Sequence, residues 1–278
     1  MSYEIGTTIA TTNNRVYVTL RLGKITESSK EPRDGFFPAV THNNSGEEYH
    51  FFARTFDNLT GYVKELKWYQ NALDNGTVLK GWKVTIDVGE DRDYVLDIGD
   101  KQRPFNDFMS RMANVDFTRP VRFIGFTGKD GKKVLLLTQD RDESGKSIWV
   151  APKFESKFLS RFIIDKLKSK EALTPDEERN IARDDKGKLM PQMKYDDFEG
   201  TFSEGYPYIF QNADDQKWNF SVWTAFLIDF TKTVTIPRLE EESARQPTLQ
   251  RKVTAAEDEF ESDVPYVPAS PEYDTIPF

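Results

Sequence analysis

Residues 121–138 set two runs rich in β-branched and aromatic side chains on either side of Asp130-Gly131. Asp-Gly between such runs is the strongest short-range signal for a β-hairpin, because the tight turns that suit twisted strands need positive φ. A chain carrying this unit near its middle is committed to a sheet. Lys129, Lys132 and Lys133 fall at the hairpin tip.

The first half repeats the theme. Val16, Val18, Leu20 and Leu22 alternate with Arg15, Tyr17, Thr19 and Arg21, the period-2 pattern of a half-buried strand. Further strands are expected over residues 48–54, 83–88, 94–98 and 148–150. Val84, Ile86 and Val88 share one face of the strand at 83–88. Residues 28–46, rich in Pro, Gly, Asn and charge, read as a long mobile loop. Helices are expected over 57–73, with Leu59, Val63, Leu66 and Tyr69 or Gln70 along one side, and over 105–113 behind Pro104. Two more are expected over 154–167, with Phe154, Phe158, Leu159, Phe162 and Ile163 as its apolar face, and from Asp214 or Asp215 to Phe230. Residues 169–205 form a polar excursion with a short helix after Thr174-Pro175, and Val234, Ile236 and Pro237 read as a last extended stretch.

The fold class expected from this order is mainly β with α insertions (α+β). Strands followed by a lysine-tipped hairpin are compatible with an elaborated OB-like barrel, and no internal repeat favours two barrels in tandem. The expected organisation is a globular body over residues 1–237, a charged linker over 238–256 and a tail over 257–278.

That tail contains seven carboxylates, four prolines and no Lys or Arg. It cannot bury enough apolar surface to offset its ordering entropy, so disorder is expected. Removing its seven acids from the 46 in the chain leaves 39 against 38 bases, so the net charge of −8 is largely a property of the tail. Residues 121–170 hold twelve Lys or Arg and six acids, a local excess of six positive charges of the kind that attracts a polyanion.

The tail closes on Asp274, Ile276, Pro277 and Phe278, and Asp263-Val264-Pro265-Tyr266 is a near-copy upstream. This ending resembles the C-terminal tail of bacterial and phage single-stranded DNA-binding proteins, with Thr275 interrupting the usual acidic run. The resemblance covers only the tail. It implies a body that coats single-stranded DNA in replication, recombination and repair, while the tail recruits partner proteins through those eight residues. It leaves homo-oligomerisation open, and the charge partition suggests that the tail shields the basic region when DNA is absent.

Binding a single strand needs cations along the backbone and aromatic faces for unpaired bases. The candidates are Arg122, Phe123, Phe126, Lys129, Lys132 and Lys133 of the hairpin, Lys146 and Trp149 beyond it, Trp82 and Lys83, and Tyr17 on the polar side of the first strand. The alternative is a non-catalytic adaptor or structural protein whose body binds protein.

Enzymatic chemistry finds little to work with. There is no Cys, the only histidines are His42 and His50, and neither a phosphate-binding loop nor a dinucleotide fingerprint occurs. Asp87, Asp91, Asp93 and Asp97 could be imagined as nuclease metal ligands. Asp140, Asp142, Ser144 and Gly145 imitate the start of a calcium loop, but Ala151 stands at its twelfth position where Glu is needed. Neither a metal nor a cofactor is expected. No run approaches 18 apolar residues and the N-terminus lacks a signal pattern, so a cytoplasmic protein without a membrane partner is expected.

Overall fold

The computed structural model describes residues 15–21, 23–42, 48–73, 76–102, 104–129, 131–196 and 199–247. These form two compact units. The first comprises residues 15–105, 115–150 and 239–247; the second comprises 106–114 and 151–238.

The first unit is built on ten strands: β1 (Arg15–Arg21), β2 (Lys24–Ser29), β3 (Phe37–His42), β4 (Glu48–Phe56), β5 (Leu59–Ala72), β6 (Val78–Asp87), β7 (Asp93–Gly99), β8 (Val121–Thr127), β9 (Lys133–Arg141) and β10 (Ser147–Trp149). They make one mixed sheet in the order β10-β9-β8-β5-β6-β7-β1-β2-β4-β3. Only β1 and β7 run parallel; every other neighbouring pair is antiparallel. The core face carries Val16, Val18, Leu20, Ile25, Val84, Ile86, Leu96 and Ile98, all at or below 6% exposure. Trp82 joins them, edge-on to Trp68 with ring centroids 5.2 Å apart.

The expectation of a mainly β fold with helices holds, but the sheet does not close into a barrel. Strands β10 and β3 remain as edges. The sheet nevertheless rolls until β8 lies against the β1–β2 pair. A Cβ added at Gly125 would come within 2.6 Å of Leu20 Cδ1 and 3.0 Å of the Ile25 nitrogen, so this approach requires glycine.

Residues 57–73, expected as a helix, form strand β5 instead. The misreading has a definite cause. Leu59, Gly61 and Val63 are buried in strict alternation, then a bulge between Val63 and Glu65 adds one residue and moves the next buried position to Leu66. Spacings of four and three from Leu59 to Val63 to Leu66 imitate a helix. Thr60, Tyr62, Trp68 and Tyr69 favour the strand, and Gly61 weakens a helix by about 1 kcal/mol. The loop expected over 28–46 likewise contains β3, which pairs with β4 from Phe37↔Ala53 to His42↔Glu48. The hairpin of β8 and β9 stands as expected, with Thr127 opposite Lys133 and Gly131 at φ 75°.

The second unit holds α1 (Phe105–Met112, apart from Phe105), α2 (Arg161–Ser169), α3 (Pro175–Glu178) and α4 (Ser221–Phe230). It also contains a three-stranded sheet of β11 (Phe158–Leu159), β14 (Ile209–Gln211) and β15 (Trp218–Asn219), and a pair, β12 (Tyr195–Asp196) with β13 (Thr201–Phe202). Its core gathers Leu159, Ile163, Ile181, Ala182 and Tyr208. The Tyr208 hydroxyl accepts from the Ala182 amide at 3.0 Å and lies 3.1 Å from the carbonyls of Ala182 and Met190, which satisfies a buried polar group.

Helix α2 begins later than the Phe spacing suggested, because the Ser160 hydroxyl accepts from the Ile163 amide and caps it. Phe154, upstream, packs edge-on against Phe226 and Phe230. At α3 the expected short helix is present, and Thr174 and Glu177 form a reciprocal capping box. Helix α4 begins at Ser221, later than expected, and residues 231–237 are not extended. A π-turn over Thr231–Thr235 leads into α5 (Ile236–Ser243) and opens the backbone four residues ahead of Pro237, whose ring would crowd a regular α-helix. The expected linker therefore starts as a helix, with Leu239 2% exposed. The tail candidates Asp263, Val264, Pro265, Tyr266, Asp274, Ile276, Pro277 and Phe278 lie outside the described residues. Among the described residues, no helix is long and apolar enough to cross a membrane.

Candidate nucleic-acid interface

Strand register decides which side chains share a face. Lys67 lies opposite Lys83, Lys83 opposite Asp97, and Asp97 opposite Thr19, so one row crosses β5, β6, β7 and β1 on the side away from the core. Arg15, Tyr17 and Arg21 stand on the same side by the two-residue period. Toward one edge, Ser28 pairs with Ala53 and Ala53 with Phe37, which carries the face to Phe37, Phe51 and Tyr49. Toward the other, Tyr62 pairs with Asp87, Thr60 with Arg122, Arg122 with Thr138 and Thr138 with Trp149. Ile124 and Phe126 follow Arg122 along β8.

Every exposed Phe, Tyr or Trp among the described residues of the first unit lies on this one face: Tyr17 at 41%, Phe37 at 44%, Tyr49 at 40%, Phe126 at 38% and Trp149 at 60%. Arg15, Arg21, Lys67, Lys83 and Arg122 are interleaved with them. The opposite face is the core, and it holds two of the expected stacking residues. Trp82 and Phe123 are each 0% exposed, so neither can serve as a base platform. Trp82 is in phase with Val84 and Ile86, and Phe123 with Val121; their neighbours Lys83 and Arg122 point the other way.

The centre of the face is a stack. The Lys83 ammonium lies 5.4 Å from the ring centroids of both Tyr17 and Tyr69. Tyr69 donates its hydroxyl to Asp97 Oδ1 at 2.8 Å. Burial, and then the Asp97 carboxylate, push the Tyr69 phenol far above its ordinary value, so it remains a hydrogen-bond donor at any working pH. Asp97 itself is 4% exposed beneath this layer. Lys67 is exposed beside Lys83, and like charges directly opposed across two strands are unfavourable by a few tenths of a kcal/mol or more. Arg21 extends the layer, its guanidinium 4.9 Å from the Phe51 ring, and Phe51 is stacked on Tyr49.

No family model, curated protein or solved structure matches the chain.

The basic window over residues 121–170 is not one patch. Lys129, Lys132 and Lys133 sit at or beside the β8–β9 turn, while Lys146 belongs to the β9–β10 turn at the far end of β9. Nine residues of strand separate the two turns by roughly 27 Å. The cations from Lys153 to Lys170 belong to the second unit. Sequence reasoning missed Lys67, Tyr69, Tyr49 and Phe37, since a helix was expected at the first two and a loop at Phe37. The sequence places Tyr49 in a strand, but nothing in it links that strand to Tyr17.

The acidic clusters are accounted for by local structure. Asp87 Oδ1 accepts from the Gly89 amide at 2.9 Å and its other oxygen lies 3.7 Å from Lys64, while Asp97 holds Tyr69. Asp142 Oδ1 accepts from the Ser144 hydroxyl at 2.6 Å and from the amides of Ser144 and Lys146 at 3.0 and 2.9 Å. These bonds, led by the Ser144 hydroxyl, hold the Asp142 carboxyl below its usual range. Among the described residues no group of three or more His, Asp or Glu side chains is placed to hold a metal ion.

Proposed function

We propose that this chain is a single-stranded DNA-binding protein whose first unit presents the aromatic and basic sheet face to the strand. The observation that carries the reading is that Tyr17, Phe37, Tyr49, Phe126 and Trp149, from segments far apart in sequence, stand with Arg15, Arg21, Lys67, Lys83 and Arg122 on one side of one sheet. Isolated exposed apolar residues need no explanation, but an aromatic series interleaved with cations suits unpaired bases and their phosphates. A duplex hides its bases from such a surface. The rolled sheet takes the part that an OB-like barrel was expected to play, and the acidic tail recruits replication or repair proteins.

The test is a titration with oligo-dT and with a duplex of equal length at two salt concentrations, followed by tryptophan fluorescence. Trp149 is the one exposed tryptophan among the described residues, so its quenching reports contact with the face. Tighter binding of the single strand, weakening as salt rises, is the expected result. Equal indifference to both nucleic acids would favour the adaptor reading.

A further inference from the structure

The Arg122 side chain makes no ion pair or hydrogen bond among the described residues, and its Nε is buried with no hydrogen-bond partner. A buried donor left unpaired costs about 1–3 kcal/mol, more when charged, and natural structures rarely carry one without a reason. Neighbouring cations on the same face are engaged. Arg15 approaches Glu65 at 3.7 Å, and Arg21 donates to the Ser28 hydroxyl at 3.4 Å.

Arg122 lies opposite Thr138, and Thr138 lies opposite Trp149. With strands about 4.8 Å apart, the guanidinium and the indole spring from backbones roughly 10 Å apart on the same side. Thr138, which stands between them on the same side, is 2% exposed. A register shift in β10 falls between Ile148 and Trp149. Without it, the alternation of the strand would have placed Trp149 on the opposite side from Arg122; bulges re-aim side chains in this way. Trp149 is consequently the most exposed large apolar side chain among the described residues of the first unit.

We infer that Arg122 and Trp149 form an anchor for one nucleotide of a single strand, the guanidinium taking the phosphate and the indole stacking on the base. This assignment rests on the DNA-binding reading and adds a location to it. An arginine whose donors are free of internal carboxylates offers a fork to a phosphate without first breaking an ion pair. The indole face accepts any base, so the anchor is indifferent to sequence.

The test uses the full chain and a dye-labelled oligo-dT read by anisotropy, because intrinsic fluorescence changes with Trp149 itself. Trp149→Ala is expected to weaken binding roughly 5- to 140-fold, and Trp149→Phe to stay near the parent value. Arg122→Met is expected to lower the slope of log affinity against log salt by about 0.7, whereas Arg122→Lys retains the slope. If Arg122→Met does not fold, Trp149→Ala decides the matter, since truncating an exposed side chain leaves folding intact. A parent chain that binds oligo-dT, with Trp149→Ala and Arg122→Met both indistinguishable from it, overturns the anchor and leaves the function standing. A parent chain that binds no single strand overturns both.

Discussion

Trp82→Ala is expected to cost the folded chain about 3–5 kcal/mol, while Trp149→Ala changes stability by less than about 0.5 kcal/mol. The two tryptophans were equal candidates for base stacking, and the structure separates them by face. Trp82 is 0% exposed, lies opposite Trp68 across β5 and β6, and Trp68 leads on to Phe105 at 6.3 Å between centroids. Removing it opens a cavity that a rolled sheet cannot collapse around. Urea denaturation of the three proteins reads the difference as a shift in midpoint at constant slope. A small loss for Trp82→Ala would show that the Trp68–Trp82–Phe105 layer contributes little to the core.

Replacing Lys67 and Lys83 together by methionine is expected to lower the salt slope of oligo-dT binding by about 1.4, two phosphate contacts for a single strand. If the two lysines contribute nothing at 1 M salt, the same slope amounts to a loss of roughly 60-fold at 50 mM and 10-fold at 200 mM. Lys67→Met alone should behave in the opposite sense toward folding, stabilising the chain by a few tenths of a kcal/mol, because it removes a like charge directly opposite Lys83. Binding that falls while stability rises is the mark of a residue held for a ligand. An unchanged slope in the double variant would show that phosphates do not reach this row.

Much of the sheet could be read from local pattern. The alternation from Arg15 to Leu22 and the Asp-Gly turn specify β1 and the β8–β9 hairpin with their neighbours alone. The same period applied to β6 and β8 separates Trp82 from Lys83 and Phe123 from Phe126, a division that grouping them as candidates overlooked, since odd and even positions of one strand cannot share a face. Two pieces were illegible for physical reasons. The bulge after Val63 shifts the buried phase of β5 and mimics a helical stripe. Strand β3, with Pro38 inside it and turn formers around it, acquires its identity only by pairing with β4. The interface was harder still. Tyr17 meets Lys83 through the parallel β1–β7 pairing and the β6–β7 hairpin, and Trp149 comes to the same side as Arg122 through an irregular register. Neither long-range pairing leaves a local trace in the sequence.

The first unit is interrupted, and its last piece is not ornamental. Glu242 accepts from the Phe117 amide at 2.8 Å, and the Gln246 side chain accepts from Lys64 at 2.7 Å while donating to the carbonyls of Val63 and Phe117 at 3.0 and 2.6 Å. Those partners emerge from the ribosome more than a hundred residues before the segment that satisfies them. During synthesis the second unit, complete at Arg238, can therefore finish while the sheet that began first still waits for its final turn of helix. The unit for which nucleic-acid binding is proposed is the last to be sealed, and a nascent chain stopped at residue 237 would hold a nearly whole sheet with its bulge and the Phe117 backbone still unfastened.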